Sequence, residues 1–369
     1  MNSSKKVFYH EIHSIRAFAC ICVLFVHVTA IYYAMQGEVF NWLTFGLNQV
    51  GRFGTPIFAV ISGFLLFNQV KKRGFDFKSF VSSRTVKIIS PFLIWSLVYL
   101  FLNHLFFDIP MFPSFEKVLV DFILQGEAYY HLYFMTMVVQ FYLLFPLLQF
   151  VRSKKSWIIF LFASAVINYL YLNFHTFGIP IENELLRETF YSKGFVLRWF
   201  FFFIFGGFAA NFWSEIVTFV RKHKWVFVIL GAASVAGAIF EYKIIGSVSS
   251  YRVTNFINIP LLVFAGIAVH SLLEKRTLYI KTTTLIGSYS MGVYLIHPLV
   301  LFLLMQVVPA EYWATRTLPI IFIVTLVSCI LITRLIQFLA VSTFIIPVPR
   351  KPKSSDHDIA KIYEKRAAS

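Results

Sequence analysis

Arginine and histidine stand at wide but regular spacing in a chain that is otherwise almost entirely apolar. The stretch from His13 to His27 places Arg16 and His27 eleven residues apart, separated by small and apolar side chains. In a helix that spacing returns to within about 20° of the same direction, about 16 Å further along the axis. One stripe therefore carries both, with Arg16 toward the cytoplasmic edge of a membrane and His27 near its middle. A neutral imidazole at that depth is suited to take a proton from a hydroxyl group. The competing interpretation is a histidine satisfied by a neighbouring helix, with Arg16 snorkelling to the interface.

Further stretches carry the same tension between chemistry and packing. Arg84 and Lys87 are three apart, which puts them on one face of an α-helix, and with Arg16 they would form a cationic pocket for phosphates. Headgroup contact is the plainer role for such residues. In Tyr294-Leu-Ile-His297-Pro298 a second histidine reaches a depth close to that of His27, beside a proline that frees a backbone carbonyl one turn earlier. Ser62-Gly63 and Gly206-Gly207 are small pairs that permit close helix approach, with a cavity wall as the sharper alternative. His131 opens an apolar segment at the outer face, where an interfacial position is expected. The sequence contains no nucleophile elbow, no phosphate-binding P-loop, no HExxH zinc motif and no cysteine set with metal spacing. No metal is expected.

Composition says what must hold these residues. Hydrophobic residues make up 58% of the 369 positions and charged residues 14%, too few to clothe a water-soluble surface. Apolar runs of helix-spanning length recur, flanked by Lys and Arg. They predict an all-α polytopic membrane protein with ten crossings at 14–35, 46–70, 84–107, 131–151, 157–173, 194–217, 225–241, 255–273, 285–308 and 317–346. Ten crossings put both termini on one side. Twenty-three Lys and Arg fall in the segments on that side and eight on the other, which places both termini in the cytoplasm. The first segment lacks a small-residue cleavage site and is expected to be retained. The net charge of +16 thus reflects membrane orientation, and nucleic-acid binding is not expected. Cys20, Cys22 and Cys329 all lie in apolar segments and read as packing residues. Residues 1–346 form one transmembrane domain, followed by a basic cytoplasmic tail over 347–369.

Taken together, five stretches resemble the integral-membrane acyltransferase 3 family. They are Arg16 with His27, Phe58-Ala-Val-Ile-Ser62-Gly63-Phe64, Arg84-Thr-Val-Lys87 followed by Pro91, His131-Leu-Tyr-Phe134 leading to Tyr142 and Pro146, and Tyr294 to Pro298. They occur in the family's order through most of the chain. One departs from the pattern: the family carries arginine where Lys87 stands, and lysine lacks the planar fork that grips phosphate bidentately. The resemblance implies a ten-helix bacterial plasma-membrane enzyme that uses acyl-CoA, commonly acetyl-CoA, and acylates a hydroxyl of an extracytoplasmic polysaccharide or lipid-linked saccharide. It implies His27 as the catalytic histidine and Arg16, Arg84 and Lys87 as donor-binding residues. Ser62, His131, Tyr294 and His297 are expected on the acceptor side. The Gly54-Thr-Pro56 and Gln125-Gly126 neighbourhoods are similar to the branch acting on intercellular-adhesion exopolysaccharide, where envelope-biosynthesis partners are expected. A polysaccharide transporter or flippase is the alternative. Acetyl or succinyl as the acyl group, and direct or acyl-histidine transfer, stay open.

Overall fold

A computed structural model describes residues 9–177, 179–246 and 249–348. Lys5, Lys6 and most of the expected basic tail, 349–369, lie outside them. Ten apolar helical segments are long enough to cross a bilayer: α1 His10–Met35, α2 Trp42–Arg73, α3 Phe77–Phe107, α4 Tyr133–Phe150, α5 Lys154–Leu172, α6 Glu184–Asn211, α7 Lys224–Ile245, α8 Asn255–Leu273, α9 Thr277–Val307 and α10 Leu318–Gln337. No strand occurs among the described residues. This is the architecture a bilayer requires, since a helix satisfies its own backbone where no water can.

The segments are not equally buried. α2 and α6 lie mostly inside the protein, whereas α5 and α7 present most of their surface outward. Such outward residues are large and apolar, among them Phe162 and Ile229. That is the expected state of a lipid-facing wall. The phenylalanine run Phe200–Phe203 is buried instead, and the Phe203 ring stacks on Phe141 with centroids 4.0 Å apart. Aromatic packing, not lipid contact, explains that run.

Missing side chains set the closest approach in the bundle. A Cβ on Gly206 of α6 would fall 1.9 Å from the Val60 carbonyl oxygen of α2, and one on Gly63 would fall 2.1 Å from that of Phe203. The two small pairs noted in the sequence therefore pack against each other's helices. α1 lies against α2, α8, α9 and α10. It runs in the same direction as α9: Gly287 meets the His13 backbone, Arg16 meets Ser290, and His27 meets His297.

Two segments depart from a simple hydropathy reading. α6 begins at Glu184 and ends at Asn211, and within it the chain turns before a 3-10 segment, Val196–Trp199, leads into Phe200–Asn211. The last crossing stops at Gln337 instead of running to 346. The apolar residues beyond fold back on α3, where Ser90 donates to the Phe344 carbonyl at 2.9 Å and Trp95 Nε1 to that of Ile345 at 3.1 Å. Hydropathy records that a run is apolar, not that the backbone has reversed.

Candidate functional site

Three histidines from separate parts of the chain meet about two-thirds of the way along α1. The His27 and His297 rings lie 4.9 Å apart, and those of His131 and His297 lie 5.4 Å apart. The matching depth read for His27 and His297 is realised as contact between their rings. His131, expected at an outer interface, is instead 2% exposed within this cluster. Its delivery depends on Gly126, whose φ of 75° turns the chain into the segment Tyr129-Tyr130-His131 ahead of α4. Tyr129 then stacks on Tyr99 of α3 at 4.4 Å, and Tyr294 Oη donates to the His131 carbonyl.

Two backbone carbonyls hold the proton on His297, and Pro298 frees one of them. Lacking an N–H, it leaves the Tyr294 carbonyl without its usual partner one turn on. His297 Nδ1 lies 2.9 Å from that oxygen and 3.0 Å from the Val293 carbonyl. Carbonyls only accept, so Nδ1 carries the hydrogen and Nε2 presents a lone pair. That Nε2 is buried and makes no hydrogen bond. The ring nitrogens of His131 are also buried without a well-formed hydrogen bond, with only a weak influence from the Leu295 backbone. Buried polar atoms without partners are rare, and here they gather at one point.

His27 borders two cavities. One, of about 20 Å³, has room for about one water and is walled by Thr55, Phe58, His131, Tyr133 and Tyr294. The other measures about 650 Å³, a size that accepts a substantial ligand. Its walls include Tyr129, Tyr130, Tyr133, Trp199 and Tyr251, with Arg52 inside and Lys193, Ser249 and Ser250 toward the loops. Tyrosine and tryptophan combine a flat apolar face with a polar edge, which suits a sugar ring with hydroxyls at its rim. Arg52, Tyr129 and Tyr130 join the site only through the fold. The Tyr-Tyr-His triplet was the available signal.

The cations singled out in the sequence are not gathered into either cavity. Arg16 reaches α9 and donates to Ser290 Oγ at 2.9 Å. It therefore shares the His27 stripe, as its spacing predicts. Arg84 donates to Gln69 and lies over Tyr142, with its guanidinium carbon 5.2 Å from the ring centre. Arg16 and Arg84 each keep a buried Nε without a hydrogen bond. Lys87 is exposed. The helix widens to a π-turn over Thr85–Ile89. Arg73 joins Arg84 in acting electrostatically on Lys87. Ser62 is half-buried beside the α2–α6 contact and lines neither cavity. Among the described residues no group of three or more His, Cys, Asp or Glu is arranged to hold a metal ion.

An acyltransferase domain of the acyltransferase 3 type matches residues 9–334. The chain belongs to that family. It is a multi-pass membrane acyltransferase, and its relatives include proteins named for polysaccharide export. A Staphylococcus aureus protein named "Probable poly-beta-1,6-N-acetyl-D-glucosamine export protein" is 24% identical over 305 residues, covering 79% of this chain and 82% of its own. The Staphylococcus epidermidis protein of that name is 22% identical over 309 residues, 79% of this chain and 81% of its own. A Bacillus subtilis protein named "Putative membrane-bound acyltransferase YfiQ" is 24% identical over 300 residues, covering 78% of this chain and 79% of its own. No solved structure matches the chain.

Proposed function

We propose that this acyltransferase moves an acyl group, acetyl in the first instance, from cytoplasmic acyl-CoA to a hydroxyl of an extracytoplasmic glycan or lipid-linked saccharide. Residues 1–346 act as the catalytic membrane domain in the bacterial plasma membrane, with both termini and the basic tail in the cytoplasm. The observation that carries this reading is the position of His27. Its ring borders a 650 Å³ aromatic-walled cavity on one side and packs against His297 on the other.

In this scheme the acceptor saccharide occupies the large cavity, stacked on its tyrosines and Trp199. His27 takes the proton from an acceptor hydroxyl as its oxygen attacks the thioester carbonyl carbon. The C–S bond breaks, and the coenzyme A thiolate leaves and recovers a proton from the imidazolium. His297, with its lone pair fixed on Nε2, and His131 hold His27 and the hydroxyl in register, and Tyr294 supports the loop carrying His131. Arg16, Arg84 and Lys87 bind the donor, the first two through guanidinium groups that still have free N–H donors. Ser62 lines neither cavity and makes no contact with substrate in this scheme.

The test uses membranes from cells with and without the chain, supplied with labelled acetyl-CoA or succinyl-CoA and an oligosaccharide acceptor. Acylated product is expected only with the chain. His27→Ala should lower its formation by about 10²–10⁴-fold, the usual range for losing a general base. That variant should remain inserted and monodisperse. Full activity in it removes His27 from the mechanism. The relatives' export names favour a second reading, movement of the polysaccharide itself. Saccharide crossing vesicles without consumption of acyl-CoA would establish that alternative.

A further inference from the structure

Arg52 is a cation in the transfer cavity without a counter-ion. It follows the first part of α2, Trp42–Gly51, and its Nε donates to Asn48 Oδ1 at 3.2 Å. Asn48 is held in turn by Thr29 of α1, at 3.0 Å from Nδ2 to Oγ1. Thr29 is two residues beyond His27, so a short hydrogen-bonded chain fixes the arginine relative to the imidazole. Both side chains border the same cavity.

The terminal nitrogens of Arg52 have no hydrogen-bond partner, and no carboxylate lies within ion-pair distance, among the described residues. Among the groups coupled to it electrostatically are the hydroxyls of Tyr242, Tyr133 and Tyr251, and the cation Arg252 and the His27 ring also feel its charge. Its neighbour Arg252 differs, lying 3.5 Å from Glu241. Lys193 supplies a second positive charge at the cavity wall. It acts on Glu127 electrostatically without forming an ion pair. Burying a charge is costly unless it is paired, and a cation fixed toward an open cavity is paired by what enters it.

We propose that Arg52, assisted by Lys193, is an anion-binding subsite for a carboxylate carried by one of the two reacting partners. This deepens the acyltransferase reading and rests on the large cavity being where transfer occurs. The anion belongs either to the acceptor, as a uronate beside the reacting hydroxyl, or to the acyl group, as the free end of a dicarboxylic acid.

Two matched probe pairs distinguish these sources by equilibrium binding to purified protein in lipid nanodiscs. One pair is a tetrasaccharide of N-acetylglucosamine and a tetrasaccharide alternating N-acetylglucosamine with glucuronate. The other is S-butyryl-pantetheine and S-succinyl-pantetheine, which differ at the acyl terminus and lack the phosphates of coenzyme A. One anionic member should bind about tenfold or more tightly than its neutral twin, the scale of a charge-assisted hydrogen bond. The preferred pair identifies the source. Arg52→Gln should reduce the ratio to below about twofold, with Arg52→Lys retaining part of it, since lysine keeps charge without the fork. Lys193→Gln, at an exposed position that does not threaten folding, should lower the ratio partway and serves if Arg52→Gln is not monodisperse.

Equal binding within both pairs, a ratio that survives Arg52→Gln, or, where that variant fails to fold, a ratio unchanged in Lys193→Gln overturns the subsite. Because binding is read without turnover, a failure of acyl transfer leaves this result standing.

Discussion

His297 owes part of the hold on its Nδ1 hydrogen to the residue that follows it. Pro298 frees the Tyr294 carbonyl, and that oxygen helps hold the hydrogen on Nδ1. Pro298→Ala would return an N–H to that carbonyl and weaken the hold, leaving the Val293 carbonyl as the remaining partner. The substitution should also favour the helix, since proline is costly in a helix interior. Acyl transfer is therefore expected to fall by up to about 100-fold, as for a misplaced catalytic group, while thermal stability holds or rises. Activity and melting temperature measured on one preparation check this. A parallel fall in both would mean that Pro298 serves packing alone. At this scale the sequence was legible where chemistry sits on regular spacing: Arg16 and His27 share a stripe, and His27 meets His297. It was not legible where value comes from tertiary contact. His131 looks interfacial until the turn at Gly126 carries it inward, and Arg52 looks like an ordinary cation near the outer end of a span until a cavity opens beside it.

Between helices, absent side chains matter as much as present ones. The α2–α6 contact leaves no room for a methyl group at Gly206, yet one at Gly237 of α7 would meet nothing within 4 Å. Gly206→Ala should therefore destabilise the protein by about 1–3 kcal/mol, as overpacking does. Gly237→Ala should be neutral or stabilising by up to about 1 kcal/mol, the helix-propensity gain over glycine. Thermal unfolding in one detergent compares the two directly, and equal behaviour would contradict the close approach. The contact has functional weight because α2 leads back to Thr55 and Phe58 beside His27. Apolar length was a sound guide to all ten helices in the sequence, but their ends were less legible. α9 starts at Thr277, eight residues before its expected start, because the turn containing Lys281 and Thr282–Thr284 is helical yet too polar for a hydropathy window. The same blindness hides the π-turn at Lys87, since local backbone widening changes no residue type.

The whole molecule divides into two polar ends. At one, Arg221 pairs with Glu274 at 2.7 Å and with Glu11 at 3.4 Å, and Lys154 with Glu215 at 2.9 Å. These bonds join the starts of α1 and α5 to the regions after α6 and α8. At the other end Glu241 meets Arg252, and the large cavity opens among Lys193, Ser249 and Ser250. The alternation read from the sequence is thus present in the fold, since loops assigned to one side are bonded together. Absolute orientation rests on the excess of Lys and Arg in the first set. Cysteine labelling tests it with little background, because Cys20, Cys22 and Cys329 are all buried. Glu182 and Lys155 are exposed at opposite ends. A membrane-impermeant maleimide applied to intact cells should label Glu182→Cys and should reach Lys155→Cys only after permeabilisation. The reverse pattern would open the His27 cavity to the cytoplasm. The acceptor would then approach from the side assigned to acyl-CoA, Arg84 and Lys87 would face away from any cytoplasmic donor, and the transmembrane division between donor and acceptor would fail.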